Sequence, residues 1–394
     1  MAAPRVLFMI AEDWYFWSHR SNLAKSLRDS GFDVSVATRS GHYKDQFADE
    51  GFHFEPIQMN RAGKNPLNEL QTIWQLCQVM RRYQPDIVHL VGLKPILYGG
   101  LAARINRVPG TVCAVAGMGW LFLPGGPLKK LVRSAVQWFY RTMFRGRRDV
   151  QILVQNDDDK EFLCSQRMAS DDQLTVINGS GVDTAKFPFS IEPDGTPVVT
   201  THCRMLWDKG IGELVEAARI IKRNGHSCRF LLVGAPDPAN PAAISQKQLQ
   251  AWHDEGVIEW LGQRTDIAEL LKNSHIACLP SYREGLPLSL IEAASVGRPI
   301  VATDVPGCRE MVVEGQNGHL VPARNSQALA AAIEKLLSDR WQRIRMGRHS
   351  RQIVEQRMTK EIVNSKTMEL YQRLLGADWE TATFARKSAT SKAA

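Results

Sequence analysis

The residues best suited to chemistry fall in one stretch, Ser281-Tyr-Arg-Glu-Gly-Leu-Pro-Leu-Ser-Leu-Ile-Glu292. An apolar run precedes it from Ile276 and another follows from Ile300, so the region reads as strand, loop, helix, strand. Pro287 suits a first helical turn and Gly297 a helix end. Glu284 is therefore expected in the loop at the strand's carboxyl end, and Glu292 inside the helix. Backbone N–H groups of Gly285, Leu286 and Leu288 would point out of the helix start, where partial positive charge favours a diphosphate. Gly285 lets the backbone come close to such a group. The two carboxylates can accept hydrogen bonds from hydroxyls, one set on a sugar and one on a ribose. Glutamates eight apart are ordinarily solvated helix charges; the Gly and Pro at a strand-to-helix junction set this pair apart.

A second cluster, His202-Cys-Arg-Met-Leu-Trp-Asp-Lys-Gly-Ile211, follows a strand and leads into a helix. Arg204 and Lys209 both fall in that loop. Two cations there can neutralise the charge growing on a departing diphosphate, work otherwise done by a metal. Asp157-Asp-Asp159 follows Asn156 at the end of a strand and opens a helix, so it reads as capping and a favourable dipole interaction. No metal site and no cofactor are expected. The chain has no GxGxxG after its first strand, which argues against a dehydrogenase, and no nucleic-acid-binding module motif.

The elements that must position these residues follow from the hydrophobic pattern. At 394 residues the chain exceeds what one core usually supports, and 44% hydrophobic with 23% charged residues excludes a disordered chain. Short Val/Ile/Leu runs alternate with helical periodicity, the signature of parallel βαβ units. Strands are predicted at 6–10, 34–38, 54–58, 87–91, 111–116, 152–155 and 174–177, then at 198–203, 230–233, 258–261, 276–280 and 300–303. Helices are predicted at 18–30, 66–83, 95–106, 127–144 and 157–166, then at 212–222, 266–272, 287–296 and 326–338. Phe187 to Pro197 carries three prolines and no periodicity, as a linker would. The expectation is an α/β chain of two facing Rossmann-like, doubly wound domains, 1–186 and 187–358, with ligands in an interdomain cleft. A disordered tail is expected at 376–394.

The formal charge of +8 and pI near 9.1 favour anionic partners. Much of it lies between Pro127 and Arg148, which holds seven Lys and Arg, no acidic residue and interleaved aromatic and aliphatic residues. A basic amphipathic helix of this kind suits an anionic membrane surface. Its contact candidates are Lys129, Lys130, Arg133, Trp138, Arg141, Phe144 and Arg145; the competing reading is a helix whose apolar stripe packs on the first domain. Just before it, Gly117-Met-Gly-Trp-Leu-Phe-Leu-Pro124 is an aromatic loop hinged at Gly117 and Gly119, suited to a polyprenyl acceptor or the interface. No stretch reads as a secretory signal or a membrane span. Seven scattered cysteines without a CxxC pair read as free thiols. The expected location is cytoplasmic, peripheral at the inner face of the membrane.

The Glu284-x7-Glu292 spacing, the Arg204 and Lys209 pair, and Asn178-Gly-Ser-Gly-Val-Asp183 followed by Phe187 together resemble retaining glycosyltransferases of family four, of the GT-B fold. Within that family the chain is similar to capsule and O-antigen transferases and PglA-like N-acetylgalactosaminyltransferases, which extend lipid-linked oligosaccharides. The resemblance implies a first domain that binds the acceptor, a second that binds the nucleotide sugar, and a helix near 359–375 that returns to the first. It implies that Arg204 and Lys209 hold the donor diphosphate, Glu284 the donor sugar and Glu292 the ribose, with Gly285, Leu286, Pro287 and Leu288 completing the site. Gly234 and Arg264 are implied near the nucleotide base. The implied donor is a UDP-sugar, with an N-acetylhexosamine one candidate, and the implied acceptor a polyprenyl-diphosphate-linked or other lipid-linked saccharide. Retention is implied to proceed by front-face attack without a carboxylate nucleophile.

The chain departs from that pattern in its first domain. Ala11 to Arg20 stands where relatives have a Gly-rich loop, and Val91 where they have a second histidine after that at His89. His19, His89 and Lys94, with Gly117 and Gly119, are the acceptor-side candidates. Competing functions are a sugar-nucleotide epimerase or phosphorylase, or a non-catalytic membrane scaffold; the intact Arg204, Lys209, Glu284 and Glu292 argue against the scaffold.

Overall fold

The computed structural model describes residues 3–59, 66–117, 126–238 and 240–376. In chain order the elements begin with β1 Arg5–Glu12, α1 Asp13–His19, α2 Ser21–Asp29, β2 Asp33–Arg39, α3 Lys44–Asp49, β3 His53–Pro56, α4 Pro66–Tyr83 and β4 Ile87–Val91. They continue with α5 Leu93–Ile105, β5 Gly110–Val115, α6 Pro127–Met143, β6 Val150–Val154, α7 Asp157–Ser165 and β7 Leu174–Val176. Next come β8 Val198–His202, α8 Ile211–Arg223, β9 Arg229–Val233, α9 Gln246–Asp254, β10 Glu259–Trp260, α10 Ile267–Lys272 and β11 Ile276–Leu279. The last are α11 Leu288–Val296, β12 Ile300–Thr303, α12 Cys308–Met311, β13 Gly318–Val321, α13 Ser326–Leu337, α14 Arg340–Arg357 and α15 Lys360–Leu375.

The chain divides into two compact units, one of residues up to Ile177 with those from Glu361 onward, the other Asn178–Lys360. In the first, seven parallel strands run in the order β3-β2-β1-β4-β5-β6-β7. Strands buried on both faces read as continuous apolar runs, and all five residues of β4 are buried. Leu76 and Met80 of α4, Ile96 of α5 and Val136 of α6 cover Leu7, Met9, Val88 and Leu90 on one face. On the other, Phe16, Leu23 and Leu27 join Leu370 and Tyr371 of α15 over Val6, Phe8 and Val91. The segment after β1 is helical because its aromatics need burial: Phe16 of α1 packs on Phe8, Phe47 and Phe52, with ring centroids 6.0, 5.3 and 5.9 Å away.

In the second unit six parallel strands run in the order β10-β9-β8-β11-β12-β13. Residues 178–187 pack with it: the Val182 N–H donates to the Met358 carbonyl at 3.0 Å, and Phe187 lies in the cluster around Leu290 and Ile291. Pro287 occupies the cap position of α11, one residue before the helix proper. The Asp157–Asp159 triplet forms the first turn of α7, capped by Asn156, whose side chain accepts from the Asp159 N–H at 2.7 Å.

One buried group ties distant parts of the first unit together. His89, in the middle of β4, is fully buried under the Phe8 ring at 5.1 Å, and its Nδ1 lies 2.6 Å from the Tyr371 hydroxyl. Burial, and secondarily the nearby Arg20, holds its pKa well below the ordinary histidine value. Below pH about 6.5 the unfolded chain therefore binds a proton that the folded one refuses, and stability falls with pH. Urea titrations should show this residue contributing a slope of up to about 1.4 kcal/mol per pH unit below 6.5. His89→Gln should reduce the slope; an unchanged slope would show that the histidine titrates normally.

Candidate active site

β8 and β11 are neighbours in the second sheet, with Thr200 opposite Ala277, so the loops leaving their carboxyl ends meet. Gly210 makes the meeting possible. It has φ of +70°, and a Cβ there would stand 2.0 Å from the Pro280 carbonyl oxygen, so neither the conformation nor the space admits a side chain. The Tyr282 N–H also donates to the Asp208 carbonyl, at 2.9 Å.

At this corner the Lys209 Nζ donates to Glu284 Oε1 at 2.5 Å, with the two side chains only 17% and 10% exposed. Burial opposes the Lys209 charge, but the carboxylate outweighs it, so the ammonium pKa ends above its ordinary value. Arg204 Nη1 donates to Asp237 Oδ2 at 2.7 Å, from a side chain that is 40% exposed. Glu292, on α11, pairs its Oε2 with Nε2 of His202, the last residue of β8, at 2.8 Å. Gly307 backs the loop between: its φ is +80°, and a Cβ there would lie 2.3 Å from the Gly285 carbonyl oxygen. Two of these pairs, Lys209–Glu284 and His202–Glu292, tie the loop and helix around the start of α11 to the end of β8, and Arg204–Asp237 joins the loops that follow β8 and β9.

The remaining candidates are less tightly gathered. Leu286 has a buried side chain against Gly179, and Leu288 opens α11. Gly234 follows β9 against the loop that carries Arg204; a Cβ there would stand 1.9 Å from the Cys203 carbonyl oxygen. Its own carbonyl accepts from Trp260 Nε1 at 2.9 Å. Arg264, beyond the edge strand β10, forks onto its neighbour Asp266 at 2.8 and 2.6 Å. His202 and Asp237 were not singled out in the sequence. Their partners lie 90 and 33 residues away, and no local spacing announces such a pair.

In the first unit the acceptor-side candidates are scattered. His19 ends α1, stacked on Tyr15 at 4.1 Å with its Nδ1 2.6 Å from Ser18 Oγ. His89 is enclosed in the core, in the middle of its strand. Lys94, in the first turn of α5, pairs with Glu69 at 2.7 Å. Gly117 helps line a cavity of about 60 Å³ with Gly92, Leu93, Val115, Val136 and Tyr140; Gly119 lies outside the described residues. On α6, Lys130, Trp138 and Arg141 are exposed and Arg133 half-buried, and Arg145, just beyond it, is exposed. Arg141 donates to the Gln166 carbonyl at 3.0 and 2.8 Å. Lys129 falls in the first turn of α6, and its side chain lies outside the described residues. Phe144 departs from the expectation of an outward contact: it is 2% exposed, because Val136, Tyr140 and Phe144 recur at helical spacing on the inward stripe.

The fold and the comparisons agree on a class. Two parallel-sheet α/β units give the chain the GT-B fold: it aligns with a glycosyltransferase from Rickettsia africae at TM-score 0.77 and 18% identity over 96% of this chain and 100% of that one. It likewise aligns with Anabaena Alr3699/HepE in complex with UDP-glucose, at TM-score 0.74 and 18% identity over 93% and 99%. Residues 196–339 match the glycosyl transferases group 1 family, and residues 5–150 match a glycosyl transferase 4-like domain. It is 28% identical to the N,N'-diacetylbacillosaminyl-diphospho-undecaprenol alpha-1,3-N-acetylgalactosaminyltransferase of Campylobacter jejuni, over 94% of this chain and 99% of the relative. It is 25% identical to the UDP-Gal:alpha-D-GlcNAc-diphosphoundecaprenol alpha-1,3-galactosyltransferase of Escherichia coli, over 70% and 72%.

The Lys209–Glu284 pair makes a stability prediction independent of substrate. Glu284→Ala leaves a mostly buried ammonium without its carboxylate and should cost about 3 kcal/mol in urea unfolding. Removing both charges as Lys209→Met with Glu284→Leu should recover most of that loss. If Lys209→Met and Glu284→Leu made singly have costs that simply add to that of the double variant, the two side chains do not interact.

Proposed function

We propose that this glycosyltransferase moves a sugar, with retention of configuration, from a UDP-sugar to a lipid-linked diphosphate saccharide at an anionic membrane surface. The observation that carries the donor side is the Lys209–Glu284 contact, with Arg204 five residues away in the same loop. In this reading Arg204 and Lys209 hold the diphosphate, joined by the backbone N–H groups at Gly285, Leu286 and Leu288 around the start of α11. Glu284 accepts hydrogen bonds from hydroxyls of the donor sugar and Glu292 from the ribose. Gly234 lets the loop that carries Arg204 close on the end of β9 beside the nucleotide, and Arg264 stands farther out toward the base. The bond from the anomeric carbon to the diphosphate oxygen breaks as the bond to the acceptor oxygen forms on the same face. The acceptor's proton passes to the departing phosphate oxygen. Lys209, held in place by Glu284, and Arg204, turning from Asp237 to the phosphate, stabilise the charge on that oxygen, work otherwise done by a metal.

The acceptor side rests on the two bacterial relatives, whose names specify saccharides on undecaprenol diphosphate. Among the described residues no helix is long and apolar enough to cross a membrane. The basic helix α6 is read as the contact with the bilayer, through Lys130, Arg133, Trp138, Arg141 and Arg145. The reaction is assigned to the cytoplasmic face, and seven free cysteines fit a reducing compartment.

The test is UDP release from a panel of UDP-sugars with and without a polyprenyl-diphosphate-linked saccharide. Release should depend on the acceptor and persist in EDTA. Glu284→Gln and Arg204→Met should each lower kcat by roughly a hundredfold or more while the protein stays folded. Acceptor-independent release, or wild-type turnover in either variant, would overturn the site assignment.

A further inference from the structure

Three helices share one face of the first sheet, and the exposed parts of two of them match. α4, α5 and α6 are crossovers between parallel strands, with α5 in contact with both α4 and α6. Each therefore starts at the carboxyl edge of the sheet and runs back toward the other edge. In the first half of α4, Leu67, Leu70 and Trp74 are 74%, 63% and 62% exposed. Their spacing of three and four puts them on one face. On α6, Leu131 and Trp138 are 67% and 64% exposed, seven residues apart and opposite the buried stripe of Val136 and Tyr140. The α4 stripe thus lies toward the carboxyl edge, and the α6 stripe runs from its second turn past the middle of that helix on the same side of the sheet.

The charge around them is one-sided. No acidic residue occurs between Pro127 and Arg148. On α4 the acidic side chain of Glu69 is taken by Lys94, so the stripe of Leu67, Leu70 and Trp74 presents no charge. Aromatic and aliphatic anchors beside unopposed cations are complementary to anionic headgroups over acyl chains. A single weak anchor gives only marginal membrane binding, and stable docking takes two signals.

We propose that α4 is a second membrane anchor, inserting Leu67, Leu70 and Trp74 into the same anionic bilayer that α6 contacts. The inference rests on the membrane reading of α6 given above and adds the element that fixes orientation. One helix leaves the unit free to roll about its axis; two helices on one face of the sheet fix that roll and bring the start of α4, at the carboxyl edge, to the headgroups, where a lipid-linked acceptor resides.

The full chain is tested by co-sedimentation with vesicles of phosphatidylglycerol and phosphatidylcholine, or of phosphatidylcholine alone. The wild type should bind the anionic vesicles. Leu70→Glu with Trp74→Glu should lower partitioning by at least roughly tenfold, about 1.4 kcal/mol, with unchanged circular dichroism and UDP binding. Brominated acyl chains should quench wild-type tryptophan fluorescence more than that of Trp74→Phe. If the double variant and Trp74→Phe both behave as wild type while Lys130→Glu with Arg133→Glu loses binding, the α4 anchor is wrong and the reading of α6 stands. If the wild type ignores anionic vesicles, the membrane reading falls and the anchor with it. If the double variant binds vesicles normally but abolishes self-association in sedimentation, the stripe is a protein contact and the inference is overturned.

Discussion

A lysine and a glutamate that are mostly out of water must be paired or neutral, because taking an unpaired charge from water costs several kcal/mol. Lys209 and Glu284 meet that requirement across 75 residues of chain, and much of the second unit is arranged so that they can. β8 lies beside β11, which brings the two loops to one edge. Gly210 lets one loop rest on the Pro280 carbonyl, and Gly307 presses under Gly285 from the other side. The register of two strands and the absence of two side chains therefore locate the charge pair, and with it the start of α11. A bulkier residue at either glycine displaces backbone against backbone, for which no rotamer offers relief.

Once the pair is fixed, the other charges differ in how firmly they are held. Lys209 is enclosed, whereas Arg204, with over a third of its side chain exposed, keeps freedom to exchange Asp237 for another anion. Glu292 is steadied by His202 from the end of β8. A site built this way holds one cation in place and one adjustable, with carboxylates already oriented by their partners. Such preorganisation keeps the cost of reorientation out of the reaction step.

How much of this was legible depended on whether the signal was local. The Glu284–Glu292 segment carried its own punctuation, and the alternation of strand and helix gave both parallel sheets. Helix α14 was missed because its buried stripe is Arg343, Met346, Gly347, Ser350 and Val354, which hardly reads as apolar. Gly347 is there because a Cβ would stand 2.1 Å from the Gly297 carbonyl, a reason visible only in three dimensions. β13 is four residues long and opens on Gly318, set against the backbone of Ile300. His202 and Asp237 escaped for the same cause: a long-range ion pair leaves no periodicity. Phe144 was read by its neighbours' charge, while its own position on the helix turned it inward.

The first unit shows the same dependence on distant contacts, now in its core. One face of its sheet is covered by α2 and by α15, and α15 arrives only after the whole second unit. The His89–Tyr371 hydrogen bond spans 282 residues. Until α15 docks, that face has only the cover of Phe16, Leu23 and Leu27, and the imidazole lacks the Tyr371 hydroxyl that is its hydrogen-bond partner. Loop-closure entropy grows slowly with length, so the long excursion is tolerable at equilibrium, but such non-local contacts form late. The first unit is thus discontinuous in sequence and cannot complete its core before the second unit's residues have been made. That coupling joins the two halves of this glycosyltransferase through the chain itself, whatever ligands either half binds.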